Sequence, residues 1–265
     1  MRTKLFLLCT VFLAFSPLAQ AKGGGGILRG GQGFLFPDHN SFANPGQFAL
    51  DNGTAIEGFY SRSTATTPTQ NLIPSMVYGN GMVGLGVYGE HSGTDALSGG
   101  TNKIGAGVGF SLLKDHLTVG AKYVHTLGTT GAGDLSATMT LNPAGRHGFA
   151  LGVGYTRQLA ASTHGVNAAV GYTFSGNNNV ELDVDFPSLT SFSQYNLAAH
   201  FTMMKQMIYF GGGYLLNNTT GTMLHGATGR LGFLLGGAAD FSVWGRYIFT
   251  AGSVVDYGGS FRVAF

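Results

Sequence analysis

Apolar residues recur at every second position through much of this chain, and that period constrains the fold more than any other feature. In residues 117–127, Leu117, Val119, Ala121, Tyr123 and Leu127 share one face while Thr118, Gly120, Lys122 and Thr126 share the other. In residues 180–186, Val180, Leu182, Val184 and Phe186 alternate with Glu181, Asp183 and Asp185. Similar runs fall at residues 104–110, 149–155, 166–174, 195–201, 239–249 and 255–265, and none has a helical period. Less regular stretches at 54–62, 72–79, 82–90, 134–141, 206–216 and 227–235 bring the predicted strands to fourteen, with 134–141 the least regular. Beyond residue 21 no segment offers the roughly 18 uninterrupted apolar residues that a transmembrane helix needs.

Only 10% of the residues are charged, while 44% are hydrophobic and 45 are glycine. A soluble globular domain carries roughly 25% charge, so an ordinary cytosolic enzyme is a poor fit. Residues 1–21 hold Arg2 and Lys4, the apolar run Leu5 to Leu18 and then Ala19-Gln20-Ala21, the three regions of a secretory signal peptide. Its removal takes Arg2, Lys4 and the single cysteine, Cys9, and leaves twelve basic against twelve acidic residues. A neutral, cysteine-free mature chain has no disulfides and lacks the basic patch that a nucleic-acid partner requires. The reading is an all-β, transmembrane antiparallel β-barrel of about fourteen strands, with twelve and sixteen as the neighbouring counts. It is expected in the bacterial outer membrane, among outer-membrane lipid and lipopolysaccharide.

The connections agree with a barrel of short periplasmic turns and longer outside loops. Gly79-Asn80-Gly81, Lys114-Asp115-His116 and Met203-Met204-Lys205 read as tight links, and residues 63–71, 91–102, 128–133 and 217–223 as loops. Near 158–163 the alternation of loop and turn is imperfect, because only a short link occurs there. At the C-terminus Tyr257, Gly259, Phe261, Val263 and Phe265 occupy alternate positions. They resemble the terminal signature by which the outer-membrane assembly machinery recognises its clients.

In a barrel the apolar face meets lipid and the intervening residues describe the lumen. Lys103, Lys122, Glu181, Asp183, Asp185, Arg230, Asp240, Arg246, Asp256 and Arg262 all fall opposite the apolar frame, and Trp244 shares the face of Arg246. Lys122, Glu181, Asp183, Asp185, Arg230, Trp244, Arg246 and Arg262 are therefore the candidate ligand-binding residues. Arg157 alone breaks the pattern and is expected to reach the rim by snorkelling. The three acids of 181–185 are expected to pair with lumen arginines such as Arg230, Arg246 and Arg262, with a cation site on the lumen wall as the alternative. Glycines 84, 86, 105, 107, 109, 152 and 154 crowd the same face and suggest the close approach of something packed inside. Residues 22–52, with Phe34, Phe36, Asn44, Pro45 and Phe48 and no clear alternation, are the predicted plug, with a disordered periplasmic tail as the alternative, which leaves 53–265 as the barrel.

Asn44-Pro45-Gly46 is similar to the Asn-Pro-Ala element that ends the N-terminal hatch of FadL-type outer-membrane transporters for long-chain fatty acids and other hydrophobic compounds. The segments 73–78 and 83–88 look like the first strands after that hatch. Residues 112–121 resemble the family's strand, tight turn and strand, and Asp183-Val184-Asp185-Phe186-Pro187 a family strand ending at proline. The chain is much shorter than typical members, and Gly46 stands where alanine is usual. The resemblance implies a fourteen-stranded barrel, an N-terminal hatch and lateral passage of apolar substrates; no binding residue is carried over from it.

Other motifs point nowhere specific. Gly84, Gly86 and Gly89 fit a dinucleotide-binding spacing, but no helix follows them. The histidines show no zinc-ligand spacing along the chain, so no metal site and no cofactor are expected. His39-Asn40-Ser41 and Ser162-Thr163-His164 bring nucleophile and base types together without an evident orienting acid, so no enzyme is expected. The function expected is passive diffusion of small hydrophobic molecules. An open porin for small polar solutes and a non-transporting structural or surface-binding barrel are the alternatives.

Overall fold

The computed structural model describes residues 44–65, 68–94, 99–113, 116–128, 133–142, 148–174, 178–190, 192–218, 223–235, 238–249 and 254–265. A 3₁₀ helix, Pro45–Leu50, precedes fourteen strands. They are β1 (Asn52–Ser63), β2 (Gln70–Asn80), β3 (Val83–Gly93), β4 (Thr101–Leu112), β5 (Leu117–Thr126), β6 (Gly133–Leu141), β7 (Gly148–Gln158), β8 (Thr163–Phe174), β9 (Asn178–Phe186), β10 (Asn196–Lys205), β11 (Ile208–Asn217), β12 (Leu224–Leu235), β13 (Ala239–Ile248) and β14 (Val254–Ala264). Each pairs antiparallel with its neighbours in sequence, and β14 returns to β1 through nine residue pairs from Ala55↔Ala264 to Ser63↔Asp256. Closure leaves no strand edge, so every ladder is satisfied within the protein, as the hydrocarbon core of a bilayer demands.

Each predicted strand overlaps one observed strand, including the irregular 134–141, which lies within β6. The short link near 158–163 is genuine: β7 ends at Gln158 and β8 starts at Thr163, so the outside connection there is simply brief. Two links are corrected: Gly79 and Asn80 belong to β2, so that hairpin turns at Gly81 and Met82. Met203, Met204 and Lys205 belong to β10, and the hairpin is made by Gln206 and Met207, closed by the pair Lys205↔Ile208. Gln206 supplies the positive backbone angle, φ 57°, that a two-residue hairpin requires.

The two faces separate as a membrane barrel requires. Leu85, Leu182 and Val243 are more than half exposed, at 56%, 54% and 60%, and lie on the same outer surface as Phe210, Phe233 and Phe261. Aromatics ring this surface near both ends of the strands. Tyr78, Phe110, Phe149 and Tyr172 lie towards the end that carries Asn52 and Ala264, and Tyr123, Tyr155, Tyr214 and Tyr257 lie towards the other. At that second end Tyr123, Tyr155 and Tyr214 pair with His125, His164 and His225. Arg157 is outward and exposed one residue from the end of β7, where its guanidinium can reach the interface.

Leu182 sits at the middle of β9 and faces lipid. Leu182→Arg is expected to destabilise the barrel by about 2–4 kcal/mol, measured by reversible denaturant unfolding in lipid vesicles, while Leu182→Phe stays near the parent value.

Candidate functional site

Strand register sets four inner-face glycines side by side. Gly79 pairs with Gly84, Gly84 with Gly109, and Gly109 with Gly120, so a ribbon without β-carbons crosses β2 to β5. Thr138 of β6 continues the row from Gly120. Residues 44–49, all buried, lie along this ribbon. A β-carbon on Gly84 would run into the Phe48 carbonyl carbon, on Gly109 into the Pro45 carbonyl oxygen, and on Gly120 into the Gly46 nitrogen. Glycine is thus required by the close approach of a second backbone, not by any special strand geometry.

Side chains fix the segment at both ends. Asn44 Nδ2 donates to Thr140 Oγ1 at 2.7 Å, and Asn44 Oδ1 accepts from Thr138 Oγ1 at 2.7 Å and from the Gly46 amide at 3.1 Å. Asn44 therefore caps the 3₁₀ helix and ties it to β6, while Pro45 starts the turn with its φ already fixed. The Phe48 ring is fully buried among Ala55, Val77 and Ala264, with Tyr88 packed against the cluster. Burying such a ring contributes roughly 1.5–3 kcal/mol. At the far end Arg262 of β14 donates to Asp51 at 2.6 Å and also binds Glu57, which accepts from Ser75 Oγ.

Most of the inner charges lie beside opposite ones. Arg246 pairs with Asp256, and Lys103 lies 3.1 Å from Glu90. Arg230 donates to Tyr209 Oη at 3.0 Å and to Ser242 at 3.3 Å, and Tyr209 Oη donates to Asp240 at 2.8 Å. Tyr209 reaches Asp240 by lying across Gly232, where a β-carbon would collide with its ring. Trp244 does the same over Gly258 and stacks on Phe59 at 5.9 Å and 3°. Such aromatic side chains over cross-strand glycines fill the lumen from its own wall.

The sequence-predicted lumen residues Lys122, Glu181, Asp183, Asp185, Arg230, Trp244, Arg246 and Arg262 all lie on the inner face. Their partners differ from expectation at β9. Glu181, Asp183 and Asp185 face β10, not a strand that carries one of the three arginines. Register places them opposite His200, Ala198 and Asn196 of β10, while the arginines sit on β12 to β14. His200 Nε2 is 3.1 Å from Glu181, His200 Nδ1 is 3.6 Å from Asp183, and Asn196 donates to Asp185 at 3.0 Å. His200 was not among the predicted site residues: chain spacing does not reveal it, because only the β9–β10 pairing brings it to the acids.

Of the predicted plug, Asn44, Pro45 and Phe48 are inside the barrel, and Phe34 and Phe36 lie outside the described residues. His39-Asn40-Ser41 also lies outside them. In the second dismissed motif His164 bonds Tyr155 on the outer surface and Thr163 donates to Gln158, so the three residues do not assemble a nucleophile and base. Tyr257 and Phe261 face outward on β14, Val263 continues that strand, and the Phe265 amide pairs with the Thr54 carbonyl at the seam.

No protein-family model matches the chain, and no curated protein matches it in sequence. Solved structures do match the fold. The CymD monoaromatic hydrocarbon channel superimposes with a TM-score of 0.64 at 12% identity, covering 94% of this chain and 97% of that one. The Acinetobacter baumannii outer membrane protein Omp33 gives 0.54 at 11% identity, covering 82% and 100%. At such identities the likeness establishes a shared barrel architecture.

Gly109→Val places a branched side chain where the Pro45 carbonyl lies, and is expected to unseat residues 44–50. Chymotrypsin should then cut at Phe48 in the folded variant but not in the folded parent, as read by mass spectrometry of the released N-terminal fragment.

Proposed function

We propose that this protein is a bacterial outer-membrane barrel through which small hydrophobic, fatty-acid-like molecules cross by passive diffusion. The observation that carries this reading is the inner face: its arginines lie in local contact with carboxylates or hydroxyls, beside a wall of glycines and stacked aromatics. Channels that select ions present rings of one sign. Arginines neutralised in this way give little reward to an anion and leave aromatic surface for an apolar solute. The CymD monoaromatic hydrocarbon channel is a precedent for such cargo on this fold, and the FadL-type features of residues 44–46, 73–78 and 83–88 point the same way.

Residues 1–21 serve as the export signal in this account, and Tyr257, Phe261, Val263 and Phe265 as the signal read by the outer-membrane assembly machinery. Lipopolysaccharide and lipid surround the aromatic-rimmed outer face. No energy source is required, since the concentration gradient and downstream consumption of cargo drive the flux.

Trp244 is the only tryptophan and lies on the lumen wall. In the refolded barrel, a quencher-labelled fatty acid is expected to quench Trp244 saturably, with reversal by unlabelled fatty acid and none by a sugar. Quenching no greater than that of a free tryptophan analogue in the same micelles would contradict the reading.

A further inference from the structure

We propose that Glu181, Asp183 and His200 form a binding site for a divalent transition-metal ion of the zinc type on the lumen wall. The three lie at the middle of β9 and β10, where His200 is paired with Glu181 and Ala198 with Asp183. Glu181 and Asp183 are 4% and 3% exposed, and one ligand atom from each of the three residues lies within 4.8 Å of the others. A tetrahedral zinc site with bonds near 2.0–2.1 Å has ligand atoms about 3.3 Å apart, close to the 3.1 Å between His200 Nε2 and Glu181 Oε2. Loading the ion draws the third ligand inward to the same spacing.

The second observation is Asp183 itself. Its Oδ2 is buried and accepts no hydrogen bond among the described residues; His200 Nδ1, at 3.6 Å, stands beyond hydrogen-bond reach. A buried carboxylate oxygen without a donor is costly, and a cation between it and the imidazole removes the cost. Charge balance favours a dication over a proton. A protonated His200 offsets one of two carboxylates, whereas a divalent ion beside a neutral imidazole offsets both. Arg246 and Arg262 are engaged elsewhere, with Asp256 and Glu57; Arg230, whose charge is felt at His200, bonds Tyr209 and Ser242 and makes no ion pair with Glu181 or Asp183 among the described contacts.

Ligand chemistry selects the metal. Two carboxylates and an imidazole suit zinc and its first-row neighbours, whereas calcium takes six to eight oxygens. The inner positions flanking the set are Ala169, opposite Asp183, Gly171, opposite Glu181, and Gly213, opposite His200. These small residues leave the fourth coordination position to water or to an anionic headgroup passing along the wall. The inference stands apart from the transport reading, since a barrel with either a hydrophobic or a polar cargo would carry the same three ligands.

The test is calorimetric titration of the chelator-stripped, refolded mature barrel with zinc chloride, alongside visible spectra of the same protein with cobalt(II). One ion per barrel is expected. Asp183→Asn and His200→Ala should each weaken zinc binding at least about tenfold while retaining heat-modifiable gel migration. A His125→Ala, His164→Ala, His225→Ala variant, which removes the three histidines paired with outer-face tyrosines, should bind as the parent does. Should the ligand variants fail to fold, the cobalt spectrum of the unaltered protein decides: intense visible bands support a four- or five-coordinate site. Absence of zinc uptake, an octahedral cobalt spectrum, or binding unchanged in folded Asp183→Asn and His200→Ala would overturn the proposal and leave the cluster as a histidine–carboxylate ion pair.

Discussion

Backbone lies directly on backbone where residues 45–49 cross Gly79, Gly84, Gly109 and Gly120, and this contact governs the interior of the barrel. Main chain can approach main chain so closely only when the strands between them carry no β-carbons. The approach seats the Phe48 ring among Ala55, Val77 and Ala264, which joins β1, β2 and β14 across the closure seam. It also brings Asp51 to Arg262, which holds Glu57 as well. The inner segment therefore does more than occupy space: through Asn44 at β6 and Asp51 at β14 it spans the arc of wall from β6 back to the seam. This segment lies at the end of the barrel that carries Asn52 and Ala264, so it narrows that end of the lumen.

Away from that arc the wall is built differently. On β9 to β14 the inner face holds polar and aromatic side chains that reach across glycines to their partners, as Tyr209 does over Gly232 and Trp244 over Gly258. Charges there are held in short-range contacts, so the outer apolar belt and the inner polar wall impose opposite demands on adjacent residues of the same strand. Period-two alternation is the covalent expression of that conflict. It is also why a substitution on one face tests lipid contact while its immediate neighbour tests lumen chemistry.

Much of this was legible in the sequence. Strand number and strand faces follow from alternation, because a buried carboxylate and a lipid-facing leucine cannot exchange places; the frame around Val180–Phe186 puts Glu181 and Asp183 inside without ambiguity. Gly84 and Gly109 were equally visible as a sign of close packing, whereas Gly79 reads in the sequence as part of a turn and Gly120 only as a residue of the polar face. Register was not. That Gly79, Gly84, Gly109 and Gly120 form one row depends on which residues face each other across three strand pairs. That Glu181 and Asp183 meet His200 depends on the β9–β10 ladder. Hairpin geometry sets such pairings, and the placement of Gln206 at a positive φ, displacing the expected Met203–Lys205 link, shows how little composition reveals of it. Side chains paired across strands thus lie beyond one-dimensional reading, whereas the faces they occupy do not.

The central claim is that residues 44–50 are seated on the glycine row inside the barrel. A β-carbon on Gly46 would stand 3.2 Å from Thr118 Oγ1, close to the separation of a disulfide's β-carbon from the far sulfur. With residues 1–21 removed the chain has no other cysteine, so oxidation of a Gly46→Cys, Thr118→Cys barrel reports a single contact. Mass spectrometry of the folded, oxidised protein should find the cross-link with both thiols closed to maleimide. A folded barrel in which both thiols stay free and react with maleimide would contradict the account.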